Sequence, residues 1–118
     1  MKYTVILALF FSGAALADGD PERGAQLYQG SCMACHGVNA DGNGPAAAAL
    51  KPRPTDFTSA AWWKNRTDRQ VAVEIKSPTP GTSMMPFAHL SEQQINDLVA
   101  FLRTKAPASE DPEPAKTP

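Results

Sequence analysis

The two cysteines of this 118-residue chain, Cys32 and Cys35, are separated by two residues, and His36 follows directly. A pair that close is more often a chemical site than a structural staple. Two cysteines cannot make a disulfide-rich scaffold either. Eleven prolines and eight glycines turn much of the molecule into loop. Short helices joined by long loops bury little apolar surface at this size. Such folds lean on an added staple, a metal or a cofactor that acts as core. The formal net charge of −1 excludes a strongly basic nucleic-acid binder.

The first residues read as an address. Met1-Lys2 is a short positive start, Val5-Ile6-Leu7-Ala8-Leu9-Phe10-Phe11 is a continuous apolar run, and Ala15-Leu16-Ala17 is a small-x-small cleavage site. Residues 1–17 are therefore expected to be a cleaved signal peptide. The apolar stretch is shorter than the roughly 20 residues a spanning helix needs. No cysteine lies near the cleavage point, so a lipid anchor is not expected, and the mature protein is placed as soluble in the periplasm. At the other end, residues 106–118 hold Pro107, Pro112, Pro114 and Pro118, with acidic residues and no large apolar side chain. They cannot bury enough surface to order themselves, so a disordered tail is expected. Residues 18–105 remain as the folded domain.

Three helical segments are legible, with no strand pattern and no internal repeat. Asp20 can cap a helix that has Pro21 at its first position and Glu22 at its positive end. It is expected to run to about Gln29 and stop at Gly30. A second helix is expected from about Thr67 to Lys76. Thr67 and Gln70 have capping-box spacing, Val71 and Ile75 share a face, and Pro78 and Pro80 forbid continuation. The third starts at Ser91, boxed by Gln94, with Leu90 and Ile95 placed as a hydrophobic staple. Ile95, Leu98, Val99 and Leu102 form its apolar stripe, and Pro107 closes the segment. Residues 46–50 read as one further turn before Pro52.

Cys32-Met33-Ala34-Cys35-His36 is the attachment motif for c-type haem. The two thiols add to the two vinyl groups of one porphyrin and so must lie about one helical turn apart. The adjacent imidazole then sits under the iron. A thioredoxin-like dithiol needs a βαβ context that the sequence lacks. Zinc needs four ligands. Cys32, Cys35, His36 and His89 supply four in number but leave the rest of the pattern unexplained. A plain disulfide gives His36 no role.

Four stretches then carry a family resemblance across Gly24 to Leu102: Gly24-Ala25-Gln26-Leu27-Tyr28, the Cys32–His36 motif, Gly44-Pro45, and Pro80-Gly81-Thr82-Ser83-Met84 followed by Asp97-Leu98-Val99-Ala100-Phe101-Leu102. In this order they make the chain resemble the class I cytochromes c, the small bacterial monohaem ones. The resemblance implies an all-α fold in which N- and C-terminal helices cross, long loops surround the cofactor, and one covalent haem c serves as core. It implies that Gly24 and Tyr28 face Leu98 and Phe101. It implies a methionine as second axial ligand. Counting from Gly81-Thr82, and from Phe87, picks Met84, whereas the Met-Pro dipeptide picks Met85; alternation along an extended chain lets only one reach the iron. His89 is the remaining candidate ligand, read instead as a partly buried loop histidine. The Pro45 carbonyl is implied as acceptor for the His36 Nδ1–H. Arg53, Trp62 and Trp63 are implied as partners of the haem propionates, and Leu50 and Phe57 as haem-wall residues.

The function expected from this set is single-electron transfer rather than enzymatic turnover, with donor and acceptor among periplasmic or membrane-bound redox proteins. Six basic residues between Lys51 and Lys76 face only Asp56, Asp68 and Glu74, which either steers an acidic partner or is an ordinary solvated surface. A haem subunit of a larger periplasmic oxidoreductase, and a haem protein with a displaceable ligand that binds small gases, are the alternatives.

Overall fold

The computed structural model describes residues 19–108. The expected signal peptide, and all of the expected tail beyond residue 108, lie outside them. Five α-helices and one 3₁₀ turn follow in order: α1 Pro21–Ser31, α2 Met33–His36, the 3₁₀ turn Ala47–Ala49, α3 Ala60–Trp63, α4 Asp68–Lys76 and α5 Glu92–Arg103. No strand occurs among the described residues.

The caps read from sequence are in place. The Asp20 side chain accepts from the Glu22 N–H at the start of α1. Full capping boxes open α4 (Thr67 with Gln70) and α5 (Ser91 with Gln94). Gly30 does not stop α1. The helix runs through it to Ser31, the Cys32 N–H still bonds the Tyr28 carbonyl, and the axis breaks at Cys32 itself. The chain then starts a new turn at once, because the Cys32 carbonyl accepts from the N–H groups of both Cys35 and His36. The attachment motif is thus carried on the end of α1. Helix α3 was not legible in advance: Ser59 caps it, but four residues are too few to show a period.

The core sits where α1 crosses α5 and α4 packs beside α5. Tyr28, Val71, Ile75, Ile95, Leu98, Val99 and Leu102 are all buried. At the crossing, a Cβ on Gly24 would land on the Asp97 carbonyl oxygen and 2.8 Å from the Phe101 Cβ. The bare backbone of Gly24 is what lets the helices meet. One turn on, the Tyr28 and Phe101 rings pack with centroids 4.9 Å apart. The expected contacts of Gly24 and Tyr28 with Phe101 are therefore present, and Leu98 is buried in the same core. Ala106 also packs against this core, so order extends one residue into the segment expected to be tail.

Asp97 is the buried charge at this crossing. Its carboxylate accepts from the Asp20 N–H at 2.8 Å, from Gln93 Nε2 at 2.9 Å and from Arg23 Nε at 3.1 Å. Burial alone would raise its pKa; the bonds from Arg23, the Asp20 N–H and Gln93 win, and hold the carboxyl below its ordinary value. One carboxylate thereby ties the start of α1 to the middle of α5.

Two outcomes follow for stability. Gly24→Val should force the helices apart and lower the unfolding free energy by about 1–3 kcal/mol, as overpacking does; urea unfolding measures it, and wild-type stability would contradict the packing. The Asp97 contribution is complete above the ordinary carboxyl value of 3.8 and is lost as pH falls through the lowered folded-state value. Asp97→Asn should therefore melt below the wild type at pH 7, with the gap closing on acidification below 3.8; a gap that is the same at every pH would rule this linkage out.

Candidate functional site

The site is built on α2 and on two loops that fold back over it. Cys32 and Cys35 are half-buried free thiols one turn apart. Burial pushes the Cys32 thiol up to about 11, and neighbouring Cys35 adds to the rise. Cys32 is thus a protonated thiol at neutral pH. Burial also pushes the His36 pKa down, against an opposing pull from the Thr55 carbonyl, so the imidazole is neutral. His36 Nδ1 lies 3.1 Å from the Thr55 carbonyl oxygen. A carbonyl only accepts, so Nδ1 carries the ring proton and Nε2 keeps its lone pair.

Thr55 replaces Pro45 as the acceptor expected for His36. The Gly44 N–H bonds the Cys35 carbonyl and the Ala46 N–H bonds the Ala34 carbonyl. These bonds lay Gly44-Pro45 along the backbone of α2. Pro45 is exposed and lines a surface groove with Gln29, Met33, Ala34, Val38 and Asn43. The acceptor comes instead from residues 53–57, which had no side-chain signature because the group used is a backbone carbonyl.

Aromatic side chains line up from His36. The Phe57 ring, buried, lies 4.9 Å from the His36 ring; Trp62 meets Phe57 edge-on at 5.1 Å, and Trp63 meets Trp62 edge-on at 4.8 Å. The two tryptophans differ in their polar ends. Trp63 is buried and its Nε1 donates to the Phe57 carbonyl at 2.7 Å, so its N–H is already used inside the protein. Trp62 is half-buried, makes no such bond among the described residues, and lies under the Arg66 guanidinium at 4.3 Å. Arg53 is exposed, and its Nη2 donates to Asn43 Oδ1 at 2.6 Å. Of the three implied propionate partners, Trp63 and Arg53 thus bond within the protein, and Trp62 does not among the described residues. Leu50 is half-buried at the end of the 3₁₀ turn.

The methionine loop separates its two candidates. Thr82 closes a turn on the Thr79 carbonyl, and Gly81 supplies the positive φ of 86°. The Phe87 N–H then ties the loop to the end of α4 at the Ile75 carbonyl. Met84 is half-buried and packs on the core, whereas Met85 is 67% exposed. His89 is exposed rather than partly buried, with its ring 5.9 Å from Phe87. Among the described residues no group of three or more His, Cys, Asp or Glu side chains comes together to hold a bare ion. The four-ligand zinc set is thus not assembled.

This donor set fits a covalently bound haem. Two unpaired thiols stand one turn apart beside a neutral imidazole with Nε2 unprotonated, an aromatic wall adjoins them, and one of two methionines is drawn into the core.

Comparison with known proteins agrees. The chain is 32% identical over 88 residues to cytochrome c-554(547) of Halothiobacillus neapolitanus, covering 73% of this chain and 97% of that protein. It is 31% identical over 99 residues to a cytochrome c of Theileria annulata, covering 73% and 86%. Among solved structures it is similar to the KustC0563 c-type cytochrome, with a TM-score of 0.61 and 29% identity over 71% of this chain and 98% of that one. It also resembles a chain of the Kuenenia stuttgartiensis reducing HAO-like protein complex Kustc0457/Kustc0458, with a TM-score of 0.68, 25% identity and 85% of this chain covered; it spans half the length of that chain. The sequence pattern described as Cytochrome c matches residues 21–106. The chain belongs to the cytochrome c family, whose members bind a covalent haem c and use it for electron transfer.

Proposed function

We propose that this protein is an exported, periplasmic carrier of single electrons, with one haem c attached through Cys32 and Cys35 and ligated by His36 and Met84. The observation that carries the reading is the state of His36: a neutral ring whose Nδ1–H is held by a backbone carbonyl, next to two free thiols at attachment spacing. When bound, the haem would supply a one-electron couple, and His36 and Met84 would be the residues that hold its iron. His36 presents Nε2, and the Thr55 bond makes the imidazole a stronger donor, which favours the oxidised state. The Met84 sulfur pulls the other way, towards the reduced state. Phe57, Trp62 and Leu50 keep water from the cofactor face, and the Trp62 N–H is the donor for a propionate. Held by both His36 and Met84, the group would leave no place for a substrate, which suits a carrier of electrons rather than an enzyme.

Its partners are redox proteins, a donor and an acceptor. Lys64 and Arg69 make no ion pair among the described residues, whereas Arg66 is engaged with Glu74, and Asp68 with Arg103. The segment from Lys51 to Lys76 keeps its positive balance, which suits an acidic partner surface. A second reading, a haem subunit held permanently in a larger oxidoreductase, is favoured by the likeness to a chain of the HAO-like complex. Among the described residues no helix is long and apolar enough to cross a membrane.

The axial assignment is tested on the exported ferric protein through the weak long-wavelength band that reports sulfur on iron. Met84→Ala should abolish the band and Met85→Ala should keep it. The reverse pattern would make Met85 the ligand, and a band untouched by either change would remove both.

A further inference from the structure

Residues 53–57, which deliver the Thr55 carbonyl to His36, are not held by a helix or a strand. They are held by the loop that leaves the attachment motif, at three points. The Phe57 N–H bonds the Ala40 carbonyl at 2.8 Å. Ala40 is fully buried at a φ of 58°, a left-handed conformation that alanine adopts only under constraint. Gly42, at a φ of 82°, bonds the His36 carbonyl through its N–H at 2.8 Å. A Cβ on Gly42 would come within 2.6 Å of the Pro54 carbonyl oxygen and 3.4 Å of the Thr55 oxygen that holds the ring. Finally Arg53 Nη2 reaches across to Asn43 Oδ1 at 2.6 Å. The loop therefore touches His36 twice: through its backbone by Gly42, and through its ring by the strap that Ala40, Gly42 and Asn43 hold.

We infer that the Arg53–Asn43 hydrogen bond is a clasp, and that Arg53 and Asn43, with Gly42, are positioning residues which set how firmly the Thr55 carbonyl holds His36 Nδ1 and thereby tune the reduction potential. The inference rests on His36 as an iron ligand. It gives Arg53 a role other than pairing with a propionate. The clasp is exposed at both ends, so its loss leaves the core intact while freeing the strap on the side of Thr55 away from Phe57. A looser strap lengthens the Thr55 bond, weakens the imidazole as a donor and moves the potential upward.

The test uses the haem-loaded protein and the variants Asn43→Ala, Asn43→Asp, Arg53→Ala and the double Asn43→Ala/Arg53→Ala. The midpoint potential and the solvent exchange rate of the His36 Nδ1 proton, followed by NMR, are read on each. Asn43→Ala and Arg53→Ala should raise the potential by similar amounts and speed exchange by about tenfold, the effect of losing one modest hydrogen bond. The double variant should go no further than either single one. Asn43→Asp, which keeps an acceptor for Arg53, should keep the wild-type exchange rate. Gly42→Ala should shift both readings in the same direction. Gly30→Ala, at an exposed position with open space around it, should shift neither. A shift in Arg53→Ala with none in Asn43→Ala would overturn the clasp and place Arg53 on the cofactor. Unchanged readings in both would overturn it as well, and a low-spin ferric spectrum in those same samples would leave the haem reading standing. Absence of that spectrum from the wild type would remove the ligand and the inference together.

Discussion

The rest of the site hangs from the crossing of α1 and α5. Where they meet, the backbone of Gly24 lies against the Asp97 carbonyl with no room for a side chain. The attachment motif is the continuation of α1 past a single break at Cys32. Fixing the crossing therefore fixes where the two thiols and His36 stand relative to the core. The buried Asp97 carboxylate reinforces the same joint from its other side, by bonding the first residues of α1. A small domain that buries little apolar surface can place a cofactor this way because the cofactor site and the tightest packing share one helix.

From that anchor, three irregular segments are held by backbone hydrogen bonds, two of them folded back over α2 and the third tied to α4. The loop after the motif returns to the Ala34 and Cys35 carbonyls. The strap 53–57 pairs with Ala40 and reaches His36. The methionine loop is tied to the end of α4 by Phe87. Loops are usually the adaptable part of a fold. Here their backbone groups hold the histidine ring and turn one methionine inward, which is the kind of fixed ligand geometry that suits an electron carrier.

Much of this was legible in the sequence, and the reasons are local. Caps at Asp20, Thr67 and Ser91 each declare themselves within four residues, and the apolar stripe of α5 within eight. Cys32, Cys35 and His36 declare themselves by spacing. The contact of Gly24 and Tyr28 with Phe101 came with the family resemblance and is present. What failed depended on backbone groups and partners that no local side-chain pattern announces. Gly30 read as a stop, but the turn needed for the motif carries the helix through it. Pro45 read as the acceptor for His36, yet its neighbours pair with α2 and leave the task to the carbonyl of Thr55, which no side chain announces. Trp62 and Trp63 are equivalent in sequence, and only the Phe57 carbonyl tells them apart. The role of Asp97 is not visible in the sequence, because its three partners lie at the starts of two different helices.

In the proposed function, His36 and Met84 would both hold the haem iron, each kept in place by this fold. The most direct test of this central claim is the visible spectrum of the ferrous protein before and after addition of carbon monoxide. A low-spin spectrum that carbon monoxide leaves unchanged is the predicted result, since neither His36 nor a core-packed Met84 yields its place. A high-spin spectrum, or ready formation of a carbon monoxide complex, would contradict the account and identify a haem protein with an open coordination site.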